Sequence, residues 1–195
     1  MTLAGTVNTD SREIARGLRQ RDIALLHALV GQYQHRLVRY FIYLLGRSEL
    51  VDDLVQETWL RVLERGGTYD GQSRFEPWLF AVARNRAIDH MRRRRIFSLD
   101  SDGSPEQNRE SISPISNDPS PFEQAARTET AQRLARSLQT LEPIYREALV
   151  LRFQEDLSLQ EIASVVGGSV STVSSRIYRG LAALRAQMEG AEHAS

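Results

Sequence analysis

The sequence contains no cysteine and no lysine. Without cysteine there can be no disulfide, no thiolate zinc site and no cysteine nucleophile. Without lysine, all 25 basic residues are arginine, a planar and permanently charged group that holds phosphate or carboxylate through paired hydrogen bonds. An excess of either sign is also missing, because 25 acidic residues match the arginines. That excludes a polycation, but it does not exclude local charge. Residues 1–97 hold 16 arginines against 11 acids, whereas residues 98–142 hold 4 against 8. Basic faces therefore survive within a neutral total. Long apolar runs are absent too. The longest, Tyr40 to Leu45, falls far short of the ~20 residues a bilayer helix needs. Met1 to Arg12 includes Asp10 and has no apolar stretch of the signal-peptide kind. A soluble, cytoplasmic protein is expected, and 195 residues suit one ordinary domain or two small ones.

Sustained period-two alternation is lacking, and helical periodicity takes its place. Following Asp22, a predicted N-cap, Leu25, Leu26, Leu29, Tyr33, Leu37, Tyr40, Phe41 and Leu44 recur at helical spacing, and Gly46 closes the segment. A second helix from Ser48 puts Val51, Leu54, Val55, Thr58 and Val62 on one stripe and ends at Gly66-Gly67. Ser73-x-x-Glu76 reads as a capping box for a third, which carries Phe75, Trp78, Leu79, Val82 and Ile88 into the run Arg92-Arg93-Arg94-Arg95. Periodicity then stops between Ser98 and Pro121, a stretch of Ser, Pro, Asp and Asn that reads as a linker. Helices resume from Phe122 through Leu134, Leu138 and Leu141, and again from Glu142-Pro143. Ser158-x-x-Glu161 is a second capping box, Gly167-Gly168 breaks its helix, and the last helix begins at Ser169. The expected fold class is all-α: two small helical domains on a flexible linker, free to move relative to one another.

Three segments hold chemistry. Ser158 to Arg185 has the parts of a helix-turn-helix: a short helix with Ala163 at the crossing, Gly167 in the turn, and a longer helix with Val173 turned inward. An ordinary helical hairpin also uses a glycine turn. The outer face of the last helix decides for DNA, because Ser174, Ser175, Arg176, Tyr178 and Arg179 suit base edges and phosphates, and no acid stands between Ser169 and Met188. In the second segment, Tyr69, Phe75, Trp78 and Phe80 lie close in sequence to Arg74, Arg84, Arg86 and the arginine run. That mixture stacks unpaired bases and tracks a single strand, although Phe75 at least is expected in the core. The third segment is acidic, Asp52-Asp53-Leu54-Val55-Gln56-Glu57. No nucleophile or metal ligand lies near it, His27, His35, His90 and His193 have no ligand spacing, and no phosphate loop or hydrolase motif occurs. The acidic stripe is either solvated surface or a docking face for a protein. No catalysis, cofactor or metal is expected.

In this order the segments resemble a bacterial RNA polymerase sigma factor of the sigma-70 family, in its extracytoplasmic-function (ECF) group. The resemblance covers about residues 22–97 and 130–188. It rests on Asp52-Asp53-Leu54-Val55-Gln56-Glu57-Thr58-Trp59-Leu60-Arg61-Val62, Phe75-Glu76-Pro77-Trp78-Leu79 and Ala83-Arg84-Asn85-Arg86-Ala87-Ile88-Asp89. In the second half, Leu157-Ser158-Leu159-Gln160-Glu161-Ile162-Ala163 and Ser171-Thr172-Val173-Ser174-Ser175-Arg176 carry it. The family likeness implies an N-terminal tail or short helix over 1–21, a region 2 domain over 22–97, a linker over 98–121 and a region 4 domain over 122–190. It gives Asp52, Asp53, Gln56 and Glu57 the docking of core RNA polymerase. Tyr69 and Asp70 on the loop from Thr68 to Arg74, with Arg84, Asn85 and Arg86, inherit recognition and melting of the −10 promoter element. Trp78 is open to two placements, pocket wall or core, of which core is favoured. Reading of the −35 duplex falls to Ser174, Ser175, Arg176, Tyr178 and Arg179. Relatives often have a basic residue in place of Ser174 and a glycine in place of Ser171, a departure that implies an altered −35 preference.

The implied function is a transcription initiation factor with no activity as an enzyme, restrained by a separate anti-sigma factor because little sequence follows Met188. A free-standing helix-turn-helix regulator, binding duplex DNA as a dimer, is the alternative. It has no need of the Asp52–Glu57 stripe or the Tyr69–Arg95 segment. A nucleic-acid-processing enzyme would require a catalytic constellation that the sequence lacks.

Overall fold

The computed structural model describes residues 10–45, 50–99 and 134–192, with side chains as far as Arg92 and Met188 in the two long helices that end the later stretches. Gly46, Ser48, His193, the side chains of Arg93, Arg94 and Arg95, and residues 100–133 lie outside this description. Most of the expected linker falls there, as does the helix start at Phe122. Every regular element among the described residues is helical.

Helix α1 (Ser11–Gln20) starts at Asp10, whose carboxylate accepts the Arg12 N–H. Helix α2 (Ile23–Leu45) is capped as expected by Asp22, which accepts from the N–H groups of Ala24 and Leu25 at 2.9 and 3.2 Å. The predicted stripe is its buried face: Leu29, Tyr33, Leu37, Tyr40, Phe41 and Leu44 are inside, while Leu25 and Leu26 are half-buried. Helix α3 (Val51–Arg65) buries Val51, Leu54, Val55, Thr58 and Val62 and runs into a tight turn at Gly66–Thr68. Helix α4 (Phe75–Leu99) starts one residue later than the Ser73 box would place it. The Glu76 carboxylate turns instead to the Tyr33 hydroxyl at 3.1 Å and to Arg74 and Arg36 at 3.5 and 3.6 Å. Tertiary partners outcompete the local cap.

The second group begins with α5 (residues 134–140) and α6 (Pro143–Leu149), which continues through a wide π turn at Val150–Gln154. Helix α7 (Leu159–Val166) has the predicted reciprocal cap, with the Glu161 N–H donating to Ser158 and the Ser158 N–H to Glu161. Helix α8 (Val170–Glu192) follows the turn.

The two groups, expected to move independently, are packed together. Apolar residues of the second, among them Val150, Leu151, Leu157, Ile162 and Val173, join the core formed by α1 to α4. The last carbonyls of a helix have no partner within it. At the end of α2, Arg146 supplies donors to the carbonyls of Tyr43 and Leu44, and Gln139 to those of Ile42 and Tyr43. A cation there also suits the negative pole of the helix. Nearby, the Glu147 carboxylate accepts from both the Tyr40 hydroxyl and Arg84 Nε, each at 2.9 Å, and buried Glu155 accepts from Arg36 at 2.7 Å.

Candidate functional site

The candidate residues occupy three faces. On α3, Asp52, Asp53, Gln56 and Glu57 are all exposed, while the apolar stripe between them is buried. Asp52 and Asp53 sit in the first turn, where the exposed backbone N–H groups favour negative charge. The face continues into Leu60, 58 % exposed, and Leu63. Neither leucine stands out in the sequence as a docking residue. Leu60 gave a signal, since it falls off the buried stripe, yet a leucine amid helical spacing reads as core. Carboxylates flanking exposed leucines have the chemistry to meet cations together with apolar area.

The second face combines the 66–74 loop with α4. Here Tyr69 departs from expectation: it is 1 % exposed and belongs to the core. Its ring lies 5.4 Å from Phe75 and 5.6 Å from Trp78, and its hydroxyl donates to the Ser73 carbonyl. Burial pushes that hydroxyl's pKa up. An aromatic ring gains most by leaving water, provided its polar tip finds a partner, and the loop provides one. Trp78, half-buried beside Phe75, lies against the core as favoured. Asp70 is exposed and shapes the turn by accepting the Gln72 N–H at 2.9 Å. Successive residues of a helix point about 100° apart, so Arg84, Asn85 and Arg86 do not share a direction. Arg84 is held by Glu147, Asn85 is exposed, and Arg86 donates to Asp89 at 2.6 Å.

The third face is the helix-turn-helix. Gly167 takes the left-handed conformation, φ 67°, and its N–H closes α7 on the Ala163 carbonyl. Ser169 accepts the Thr172 N–H at 3.1 Å to start α8. Val173 is fully buried, and a Cβ on Gly180 would come within 3.1–3.3 Å of Leu149 and Tyr145, so α8 sits close on α6. Outward, Ser174, Ser175, Tyr178 and Arg179 are exposed and Arg176 is half-exposed. Ser174, Ser175, Tyr178 and Arg179 fan over the side of α8 away from buried Val173, and Arg176 lies at the edge of that side.

No helix among the described residues is long and apolar enough to cross a membrane. Residues 29–96 match the family description sigma-70 region 2, and residues 131–184 match sigma-70 region 4. The chain is 30 % identical over 167 residues to the ECF RNA polymerase sigma factor SigX of Bacillus subtilis, covering 83 % of this chain and 82 % of SigX. It is 33 % identical over 160 residues to the ECF RNA polymerase sigma factor BldN of Streptomyces coelicolor, covering 80 % of this chain and 58 % of that longer protein. In fold it is similar to the sigma factor RpoE of Bartonella quintana, solved in complex with the anti-sigma factor NepR. The TM-score is 0.65 at 24 % identity, over 89 % of this chain and 98 % of that one.

Proposed function

The chain belongs to the extracytoplasmic-function group of the sigma-70 family, transcription initiation factors that direct RNA polymerase to promoters, and from that premise we propose how its surfaces divide the work. The acidic face of α3, with Asp52, Asp53, Gln56 and Glu57 at its centre and Leu60 at its edge, docks core polymerase. Asp70 and Asn85 meet the opened −10 strand, with Arg84 and Arg86 at its phosphates. Tyr69 supports the loop from inside. Unpaired bases offer both edges and π-faces, so a loop can read them where a duplex would conceal them. The outward side of α8, Ser174, Ser175, Arg176, Tyr178 and Arg179, reads the −35 duplex in the major groove.

These roles require the two groups to part. Arg84 must exchange the Glu147 carboxylate for a phosphate, and Arg74, 3.6 Å from Glu161 of α7, must release the second group. The region 2 and region 4 domains proposed over 22–97 and 122–190 are then the units that move. No residue in this scheme performs bond-breaking chemistry, and no cofactor takes part. A separate anti-sigma factor, the kind of partner RpoE has in its complex, is the restraint we assign to this chain. The chain itself acts where core polymerase is, in the cytoplasm.

The observation that carries the reading is the division of α3. All four polar residues singled out on it are exposed, and the whole apolar stripe is buried. Two substitutions test it. Asp53→Arg is expected to abolish core-polymerase binding with the fold intact. Arg176→Ala is expected to weaken promoter selection and leave polymerase binding unchanged. Equal loss of the same activity in both variants would refute the division.

A further inference from the structure

The 66–74 loop has two sides. Gly66, Tyr69 and Gly71 are buried, whereas Thr68, Asp70 and Gln72 are exposed. What the buried side rests on is α1. A Cβ on Gly66 would come 2.9 Å from Leu18 Cβ. One on Gly71 would come 2.8 Å from the Ser11 carbonyl, 2.9 Å from Arg12 Cα and 3.0 Å from Ala15 Cβ. Gly71 also has φ +75°, a conformation that side-chain-bearing residues rarely adopt. The loop thus touches α1 at Gly66 and again at Gly71, with no space for a methyl group at either.

The other side of α1 is fixed as well. Gly17 packs directly on Leu25 of α2, and the Arg21 N–H closes the helix on the carbonyls of Gly17 and Leu18. Helix α1 is therefore a wedge between a main core helix and the loop. A nine-residue loop with three glycines has little stiffness of its own, and recognition by a side chain depends on placement to a fraction of an ångström.

From this geometry we propose that α1 is a positioning element for −10 recognition: Ala15 and Leu18 form the mould that sets the loop, and so aim Asp70 at the base it reads. The inference rests on the loop being the base-reading segment, as proposed above. No α1 residue need touch DNA. The helix sets selectivity through Gly66 and Gly71.

The test uses the full chain bound to core polymerase, with four promoters that differ at one −10 base. Ala15→Leu thrusts bulk against Gly71. It is expected to lower discrimination among the four promoters about tenfold, the order of one lost side-chain contact to a base, and to leave affinity for core polymerase unchanged. Leu18→Ala withdraws support at Gly66 without adding bulk, so it keeps the test decisive if Ala15→Leu does not fold. Unchanged discrimination in a folded variant would overturn the proposal. So would equal loss on all four promoters together with weaker polymerase binding, which marks a purely structural helix. A wild-type holoenzyme that used all four promoters equally would overturn the base-reading premise itself, and this proposal with it.

Discussion

Replacing Glu147 by alanine strikes the joint between the two helical groups. One carboxylate oxygen of Glu147 accepts from the Tyr40 hydroxyl and from Arg84 Nε, each at 2.9 Å. The Tyr40 ring is wholly buried, so its hydroxyl cannot turn to water once the acceptor is gone. A buried donor left unpaired costs about 1–3 kcal/mol. The Arg84 side chain is 21 % exposed and recovers part of its hydration, which holds its share to about 1 kcal/mol. Together the loss is about 2–4 kcal/mol. For a chain of this size each kcal/mol moves Tm by about 2–4 °C, so a fall of at least about 4 °C is expected.

Because the two groups meet here, the same loss favours their separation, by about a hundredfold for 3 kcal/mol. The absence of native cysteine permits two site-specific spin labels, at exposed Gln34 on α2 and exposed Arg185 on α8. Thermal unfolding and the inter-label distance then report together. Glu147→Ala is expected to melt lower and to give a longer, broader distance, and Glu147→Gln, which keeps an acceptor oxygen, to do less of both. An unchanged Tm with an unchanged distance would refute the claim that this network holds the groups together.

The acid limb of stability provides another prediction. Burial pushes the Glu76 carboxyl up, but its own backbone N–H, Arg74, Arg36 and the Tyr33 hydroxyl outweigh burial and hold it below the ordinary 4.5. A depressed carboxyl stabilises the fold above its unfolded value and loses that contribution as pH falls through the folded one. Chemical denaturation below pH 4.5 should therefore show a shallower pH slope for Glu76→Gln than for the parent. Glu155, raised by burial against the opposing pull of Arg36, contributes with the opposite sign. At the docking face, Leu60→Ala should weaken core-polymerase binding about fivefold or more, as truncation of an interface anchor by 1 kcal/mol or more does. Its Tm should hardly move, because the side chain is already 58 % exposed.

Local and periodic features were legible in the sequence. The stripe Leu29, Tyr33, Leu37, Tyr40 and Leu44 announced the buried side of α2, because helical burial repeats at the helical period. The Ser158–Glu161 cap was readable, since all its partners lie within four residues. So was the outward face of α8. Pairings remote in sequence were not. Arg36 and Glu155 are 119 residues apart, and adjacent Arg146 and Glu147 look like a solvated pair although both are buried. The π turn that precedes Glu155 leaves no mark in the apolar pattern. Tyr69 misled because a tyrosine among arginines in a glycine-containing loop matches the composition of a base-stacking surface. Only the packing of Phe75 and Trp78 around it reveals a core residue.

The most direct test of the central claim is whether the purified chain co-elutes with bacterial core RNA polymerase, with Asp53→Arg run beside it. The account predicts co-elution of the parent and its loss in the variant. Failure of the parent to bind, or equal binding by both, would contradict the assignment of the acidic α3 face as the polymerase dock.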